Sequence, residues 1–390
     1  MHLVHIADTH LGRTSFQKLA EDGSNLRETL IYENFLAGIE HIATEVQPEV
    51  LVHSGDLFDT VKPKTKAILV ALKALDILEE YHIPVIIVAG NHEMQKNTYT
   101  ASAFEILKKA HPEINAAYSF RYENFFIKGT MFHCIPNMLH AADYKTAAEE
   151  ALSWVRNSTY AGLKVQAHVL VTHGLATTIR DKRLATCAEF ELTPDILSEQ
   201  FDYIALGHYH GQTQVGTNAW YSGSQEHLTY GEIKDKKGAL EVNIENNVTH
   251  VEHLSLVRSP MKDLGVIDCD HLNMDDILDA IEDEVGLIDG IGDQMFQITL
   301  DFGSSPVCAL PTDALKHIRE SILDLKIRVR SAETERQQIQ QQDLHAIDYV
   351  REFGQFVQTL PITDAQCVAV ERKGVETLKT VMANHLEDTA

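Results

Sequence analysis

The sequence predicts an α/β fold in which a sheet carries helices on its faces. Three observations predict it. Apolar runs alternate with helical patterns from the first residues onward. Runs such as VLVH at 50–53 and PVIIVA at 84–89 lack polar alternation, as expected of strands covered on both faces. Five of the runs end within one or two residues of Asp, His or Asn.

In chain order, His2–Ile6 reads as a strand, Leu30–Glu45 as a helix and Glu49–His53 as a second strand. A helix over Lys64–Glu80 and a strand over Pro84–Ala89 complete a βαβαβ rhythm. Tyr118–Ile135 reads as paired strands, and Asp143–Asn157 as an amphipathic helix whose alanine and leucine positions fit a face packed on a sheet. Strands are expected at Ala167–Val171 and Tyr203–Leu206, then as a series through 213–256 separated by Gly, Asn and Lys. A smaller α/β unit follows. It comprises a helix over Asn273–Glu284 capped by Asn273, a strand over Gln294–Asp301, a helix over Asp313–Leu323 and a strand over Leu325–Val329. The remainder is helical in pattern and begins with the glutamine-rich ERQQIQQQD. These readings divide the chain into 1–258, 259–331 and 332–390.

The 390 residues suffice for one large domain with smaller attachments. No apolar run approaches the ~18 residues of a membrane span, so no membrane partner is expected. The chain opens MHLVHIADTHLG; removing a leader of ~15–30 residues would destroy the candidate site, so none is expected. The five cysteines are scattered and form no CxxC pair, which favours reduced thiols over a zinc site or disulfide framework. A net charge of -24 argues against a generic nucleic-acid-coating protein. That charge is uneven. Residues 261–301 hold twelve acidic residues and one lysine, against 32 acidic and 21 basic over 1–255. A solvated acidic face is the simplest reading.

Five segments carry the chemistry: DTH at Asp8–His10, GDLFD at Gly55–Asp59, GNHE at Gly90–Glu93, THG at Thr172–Gly174 and GHYH at Gly207–His210. The carboxyl ends of strands in an α/β sheet line a common crevice, and glycine there lets backbone approach a ligand closely. Four imidazoles, two carboxylates and one amide form a sensible dinuclear set in which one carboxylate bridges two ions. Two divalent ions against two Asp charges leave the site positive, which draws in an anionic phosphate. Imidazole and carboxylate suit Mn, Fe or Zn. A single match to one of these segments has little weight, but five in order at strand ends carry the reading. His5, His53, His133 and His168, in or beside strands, are expected to be ordinary satisfied core histidines.

This ordered set resembles the calcineurin-like metallophosphoesterase superfamily. HIADTHLG, LVHSGDLFDT and VIIVAGNHE resemble one branch of it, the SbcD-type nuclease subunit of the DNA double-strand-break repair complex. The resemblance is strong over about 1–225 and weaker beyond. It implies a β-sandwich core flanked by helices, a small capping domain that contacts DNA, and a helical C-terminal segment that docks on an ABC-type ATPase with a long coiled coil. It also implies a homodimer, a cytoplasmic and nucleoid-associated location, and manganese as the activating ion. By motif, Asp8, His10, Asp56 and His210 would hold one ion, and Asp56 would bridge to a second held by Asn91, His173 and His208. His92 would be a non-ligand that orients the phosphate and protonates the leaving oxygen as a bridging hydroxide attacks. The resemblance further implies 3′→5′ cleavage of duplex ends and nicking of single strands. Asp59 stands where archaeal and eukaryotic members commonly carry His, a bacterial-type variant.

Arg13, Lys62, Lys64 and Lys66 follow site motifs and are candidates for contact with DNA phosphates, or else ordinary solvated side chains. In the tail, Ile347, Val350, Phe353, Phe356 and Val357 form an apolar stripe at helical spacing, a candidate face for partner docking or for packing within the chain. Two other functions fit the same motifs: a stand-alone phosphodiesterase for nucleotides or small phosphoesters, and a non-catalytic scaffold subunit.

Overall fold

The computed structural model describes residues 1–95, 97, 100–156, 164–179, 191–192, 196–197, 200–246, 248–286, 292–311 and 313–332, with 353, 357, 370, 372–374 and 377 in the tail. Strands β1 (His2–Ile6), β2 (Val50–His53), β3 (Val85–Val88) and β4 (Asn115–Ala117) are parallel neighbours. A second sheet holds β5 (Glu123–Ile127), β6 (Thr130–Ile135) and β7 (Ala167–His173). After the short parallel pair β8 (Leu175–Ala176) and β9 (Glu191–Leu192), the chain adds β10 (Tyr203–Gly207), β11 (Thr213–Gln214) and β12 (Ala219–Tyr221) to it. Strands β13 (Ala239–Glu245) and β14 (Val248–Leu254) then return to the first sheet, with β13 antiparallel to β1. The two six-stranded orders are β14-β13-β1-β2-β3-β4 and β11-β12-β10-β7-β6-β5.

The period-two alternation of each strand explains why two sheets form. Leu3, Val50, Val52, Ile86 and Val88 meet Phe132, Cys134, Val169, Val171, Tyr203 and Ala205 in one buried cluster between the sheets. The alternate residues Val4, Leu51, Val85 and Ile87 face the other way. They pack with Phe35 and Ile39 of α1 (Leu26–His41), Ala71 and Leu75 of α2 (Thr65–Glu80), and Phe104 of α3 (Ala103–Ala110). On the second sheet Leu170, Ile204 and Leu206 pack with Tyr144 and Ala151 of α4 (Ala141–Arg156). Each large apolar side chain so buried contributes roughly 1.5–3 kcal/mol. The result is a β-sandwich between helical layers, as the motif resemblance implied.

Asn25 caps α1 by accepting from the Glu28 N–H at 3.0 Å, so that helix begins before the predicted Leu30. Helix α3 lay outside the predicted elements; a capping box between Ser102 and Glu105 starts it. Strands β15 (Met261–Asp268), β16 (Met295–Asp301) and β17 (Asp324–Arg330) form a small sheet in that order, accompanied by α5 (Met274–Val285) and α6 (Lys316–Ser321). The predicted cap is observed at α5, where the Asn273 side chain accepts from the Asp276 N–H at 3.0 Å.

By packing, the chain groups into two compact units. One contains 1–265, 278–298 and 311–327; the other contains 266–277, 299–310 and 328–390. Within the first, the Lys18 ammonium donates to the carbonyls of Arg319, Glu320 and Ile322 near the end of α6. Tyr230, Met261, Met295 and Leu323 form an apolar cluster there. Within the second, Val357 is fully buried, and a Cβ at Gly374 would run into the Phe353 ring. Of the apolar tail stripe, Val357 is therefore covered by the chain itself, and the half-buried Phe353 lies against Gly374. Ile347, Val350 and Phe356 lie outside the described residues.

Candidate metal centre

The five motifs converge at the carboxyl ends of β1, β2, β3, β7 and β10. Each strand stops as the chain turns sharply, and the turns hold unusual backbone. Asp8, His10, Asp56 and His208 have φ of 52°, 47°, 55° and 103°, in the left-handed region that non-glycine residues avoid. Strain of this kind costs roughly 1–3 kcal/mol per residue and persists where surrounding structure enforces it. The enforcement is visible. Asp8 N–H donates to the Gly55 carbonyl at 3.0 Å, and His10 N–H to the Asp56 carbonyl at 3.0 Å. A Cβ at Gly55 would overlap the His173 ring, one at Gly90 the Asp56 carboxylate, and one at Gly207 the Ser54 carbonyl. Glycine there creates the cradle.

All seven candidate ligands come together. The Asp8 carboxylate accepts from the His208 N–H at 3.0 and 3.1 Å. Nε2 of His10 lies 3.3 Å from Nε2 of His210 and 3.6 Å from Asp56 Oδ2. Nε2 of His173 lies 3.4 Å from the same Asp56 oxygen and 2.9 Å from Asn91 Oδ1, which is itself 3.3 Å from His208 Nδ1. Asp56 thus stands between the two proposed ligand groups. Asp8, His10 and His210 form one cluster of ligand atoms within 4.8 Å of one another, and Asp8, Asp56 and His173 another. The donors are hard oxygens and imidazole nitrogens with no thiolate, so the residues fit a pair of divalent ions such as Mn, Fe or Zn.

The charge pattern agrees. Burial would raise the Asp56 carboxyl, but His173, His10 and His92 around it outweigh that and hold it well below the carboxylate range. Burial disfavours the His173 cation, yet Asp56 beside it and Asp8 nearby carry the ring up to about 10. Burial, reinforced by the neighbouring His173, pushes His208 down to about 3.

His92 sits differently from the rest. Its N–H donates to Asp56 Oδ1 at 2.9 Å and its Nδ1 lies 3.0 Å from the Asp59 carbonyl, while its side chain is 40% exposed. With Nδ1 turned to that carbonyl, Nε2 points into the crevice 4.0 Å from Asp56 Oδ2. Asp59 accepts from His10 Nδ1 at 3.0 Å and from Arg13 at 3.3 Å, and so fixes the His10 ring. Of the candidate DNA contacts, Arg13 is thus tied to Asp59, Lys64 pairs with Glu28 at 2.8 Å and Lys66 lies over the Tyr32 ring at 5.9 Å. Lys62 is exposed.

Three carboxylate-centred features escaped the motif reading. Glu93, 1% exposed, accepts N–H bonds from Gly90 at 2.8 Å and Phe58 at 3.1 Å, joining the GNHE and GDLFD turns. Glu232 and the fully buried Lys237 side chain form a pair at 2.6 Å behind His210. The last residue of GNHE was a signal for Glu93; nothing in GEIKDKK distinguishes Glu232 or Lys237 from surface charge. Glu79, His111 and Glu113 form a separate cluster beside α2 and α3, with both carboxylates exposed. The four histidines expected to be structural are so placed. His5 bonds to Tyr203 and Ser54 at 2.9 and 2.8 Å, His53 to Thr9 at 3.0 Å, and His133 to Tyr122 and His168 at 2.7 and 3.0 Å.

Residues 1–212 match the family described as calcineurin-like phosphoesterase. The chain belongs to the calcineurin-like phosphoesterases. It is similar to the DNA double-strand break repair protein Mre11 of Methanocaldococcus jannaschii, 33% identical over 61% of this chain and 60% of that one. It is also similar to Mre11 of Methanopyrus kandleri, at 30% identity over 61% of this chain and 52% of that one. A bacterial relative, the D component of the SbcCD nuclease of Staphylococcus saprophyticus, is 30% identical over 69% of this chain and 72% of that one. The chain spans about half to two thirds of the length of the archaeal relatives it matches. As a phosphoesterase of this family it places every motif of its crevice within the matched residues. Among the described residues, no helix is long and apolar enough to cross a membrane.

Proposed function

We propose that this chain is a two-metal phosphodiesterase that cleaves DNA, acting with an ABC-type ATPase in double-strand-break repair. The observation that carries the reading is the convergence of seven donors around the buried Asp56, with His92 at the mouth of the crevice beside them. Asp8, His10, Asp56 and His210 would hold one ion, and Asp56, Asn91, His173 and His208 the other. Two divalent ions bound there would supply an activated water and positive charge for the phosphoryl oxygens. Asp56 would contribute to holding both, and Asn91 would add a neutral donor that leaves net positive charge for the phosphate. His92, with Nδ1 bonded to the Asp59 carbonyl, presents Nε2 to the crevice and would give a proton to the departing oxygen.

DNA as substrate is favoured by the similarity to Mre11 and to the bacterial SbcCD nuclease component, and by the appended sheet β15-β16-β17 with α5 and α6 that follows in the chain. The acidic charge of -24 is reconciled if a partner supplies part of the basic surface, since DNA affinity depends on neutralised phosphates. In this reading 332–390 dock on that ATPase, the chain forms a homodimer, and Mn²⁺ is the activating ion. Comparing a chromogenic phosphodiester with linear duplex DNA, each with Mn²⁺ and with Mg²⁺, tests the reading. Mn²⁺-dependent degradation of duplex ends, 3′→5′, supports it. Turnover of the small diester alone favours a stand-alone phosphodiesterase, and no turnover of either favours a scaffold.

A further inference from the structure

We propose that Glu232 is a positioning residue of the metal centre, which sets the tautomer of His210 and aims its Nε2 at the first ion. The inference rests on the two-metal reading above. A neutral imidazole carries one proton, and whichever ring nitrogen holds it cannot bind a cation. In this structure Glu232 Oε1 stands 3.2 Å from His210 Nδ1, an acceptor that favours the proton on Nδ1 and leaves the Nε2 lone pair to the crevice, 3.3 Å from Nε2 of His10.

The carboxylate is itself held on every side. Oε2 accepts from Lys237 at 2.6 Å and from the Leu228 N–H at 3.1 Å, while Oε1 also accepts from the Thr229 hydroxyl at 3.1 Å. Glu232 is 5% exposed and the Lys237 side chain is completely buried. The Lys237 ammonium also donates to the Ser224 hydroxyl and to the backbone carbonyl of His210, each at 2.8 Å. The same cation therefore fixes both the residue that orients His210 and the backbone that carries it. A carboxylate on the far nitrogen also makes an imidazole a stronger donor, and partners of this kind change metal affinity by about 10–100-fold. His10 has the matching arrangement with Asp59, whereas Nδ1 of His173 meets the Ser54 carbonyl at 2.9 Å. The described partners of the two proposed ion sites thus differ: His10 and His210 meet outer carboxylates, and His173 a backbone carbonyl.

The test is a two-site titration of the metal-free full-length chain with Mn²⁺ against a fluorescent chelator, for parent, Glu232→Ala and Glu232→Gln. Glu232→Ala should weaken one of the two affinities about 10–100-fold and leave the other unchanged. Glu232→Gln, whose amide oxygen still accepts from Nδ1, should show a smaller loss at the same site, and it decides the matter if the alanine variant does not fold. In ¹⁵N spectra of the metal-free chain, the His210 proton should sit on Nδ1 in the parent and lose that preference in Glu232→Ala. A purely structural pair would lower thermal stability while leaving both affinities and the tautomer as they were, and that result overturns the inference alone. A parent chain that binds no Mn²⁺ overturns the two-metal reading and this inference with it.

Discussion

Glu93 offers the sharpest test of how the ligand turns are held. Its two oxygens each accept a backbone N–H, from Gly90 at 2.8 Å and from Phe58 at 3.1 Å, in a place only 1% exposed. Glu93→Ala leaves both donors buried without a partner. At about 1–3 kcal/mol for each unsatisfied group, the loss is about 4 kcal/mol. For a chain of this size each kcal/mol corresponds to about 1–2 °C, so melting should fall by about 4–8 °C. Glu93→Gln keeps one acceptor but turns an NH₂ toward the other N–H, and should fall in between. A pH series adds a sign. Burial, with the Asp56 charge beside it, pushes the Glu93 carboxyl up to about 8 in the metal-free chain. The folded state then holds this proton more tightly than the unfolded state. The group's contribution to stability is complete below its unfolded value near 4.5 and is lost as the pH rises through about 8. Glutamine does not titrate, so the parent's advantage over Glu93→Gln should shrink from about pH 5 to about pH 8. Thermal denaturation of metal-free parent and variants, followed by circular dichroism, measures both effects. An alanine variant that melts with the parent, or an advantage that grows with pH, would remove Glu93 from this role.

Other consequences are open to measurement. His92→Ala should keep both ions yet lower diester hydrolysis by at least about 10²-fold, the scale of a lost general acid; loss of half the metal in elemental analysis would make His92 a ligand instead. Because His173 is held up to about 10 by Asp56, ion binding near neutral pH must expel its proton. Affinity at that site should rise about tenfold per pH unit while His173 remains protonated, and calorimetry in buffers of different ionisation enthalpy should find about one proton released. Zero release would contradict it. Deleting 332–390 should spare metal binding and small-diester hydrolysis while abolishing association with the ATPase, as read by co-purification; loss of metal on deletion would assign the tail to the core instead.

The sandwich was legible in the sequence because β1, β2, β3, β7 and β10 are apolar on both faces, and such strands need cover on two sides. The convergence of the motif residues was legible because each of them ends a strand beside glycine or within a short motif. What escaped the reading depends on residues distant in the chain. Lys237 lies in GEIKDKK, where charges read as solvated, yet its ammonium is buried by Glu232, Ser224 and the His210 carbonyl. Arg27, ahead of the Leu30 at which the sequence pattern starts its helix, is likewise buried against Glu226 at 3.0 Å, 199 residues away. Burial of a charge is decided by its partner, and pattern within a window cannot supply that partner. Helix α3 was missed for a different reason: at eight residues it is too short for periodicity to register, although its Ser102–Glu105 capping box was there to find.

Whether two ions share one buried carboxylate can be decided by counting ions. Metal-free parent and Asp56→Ala should be titrated with Mn²⁺ by calorimetry while hydrolysis of a chromogenic diester is followed on the same samples. Asp56 lies 3.6 Å from His10 Nε2 and 3.4 Å from His173 Nε2, within reach of both ligand groups. The parent should bind two ions per chain and gain activity as they bind, and Asp56→Ala should weaken both sites together and lose that activity. Two sites that survive Asp56→Ala with unchanged affinity, or hydrolysis that persists in the metal-free parent, would contradict a shared carboxylate at a two-metal centre.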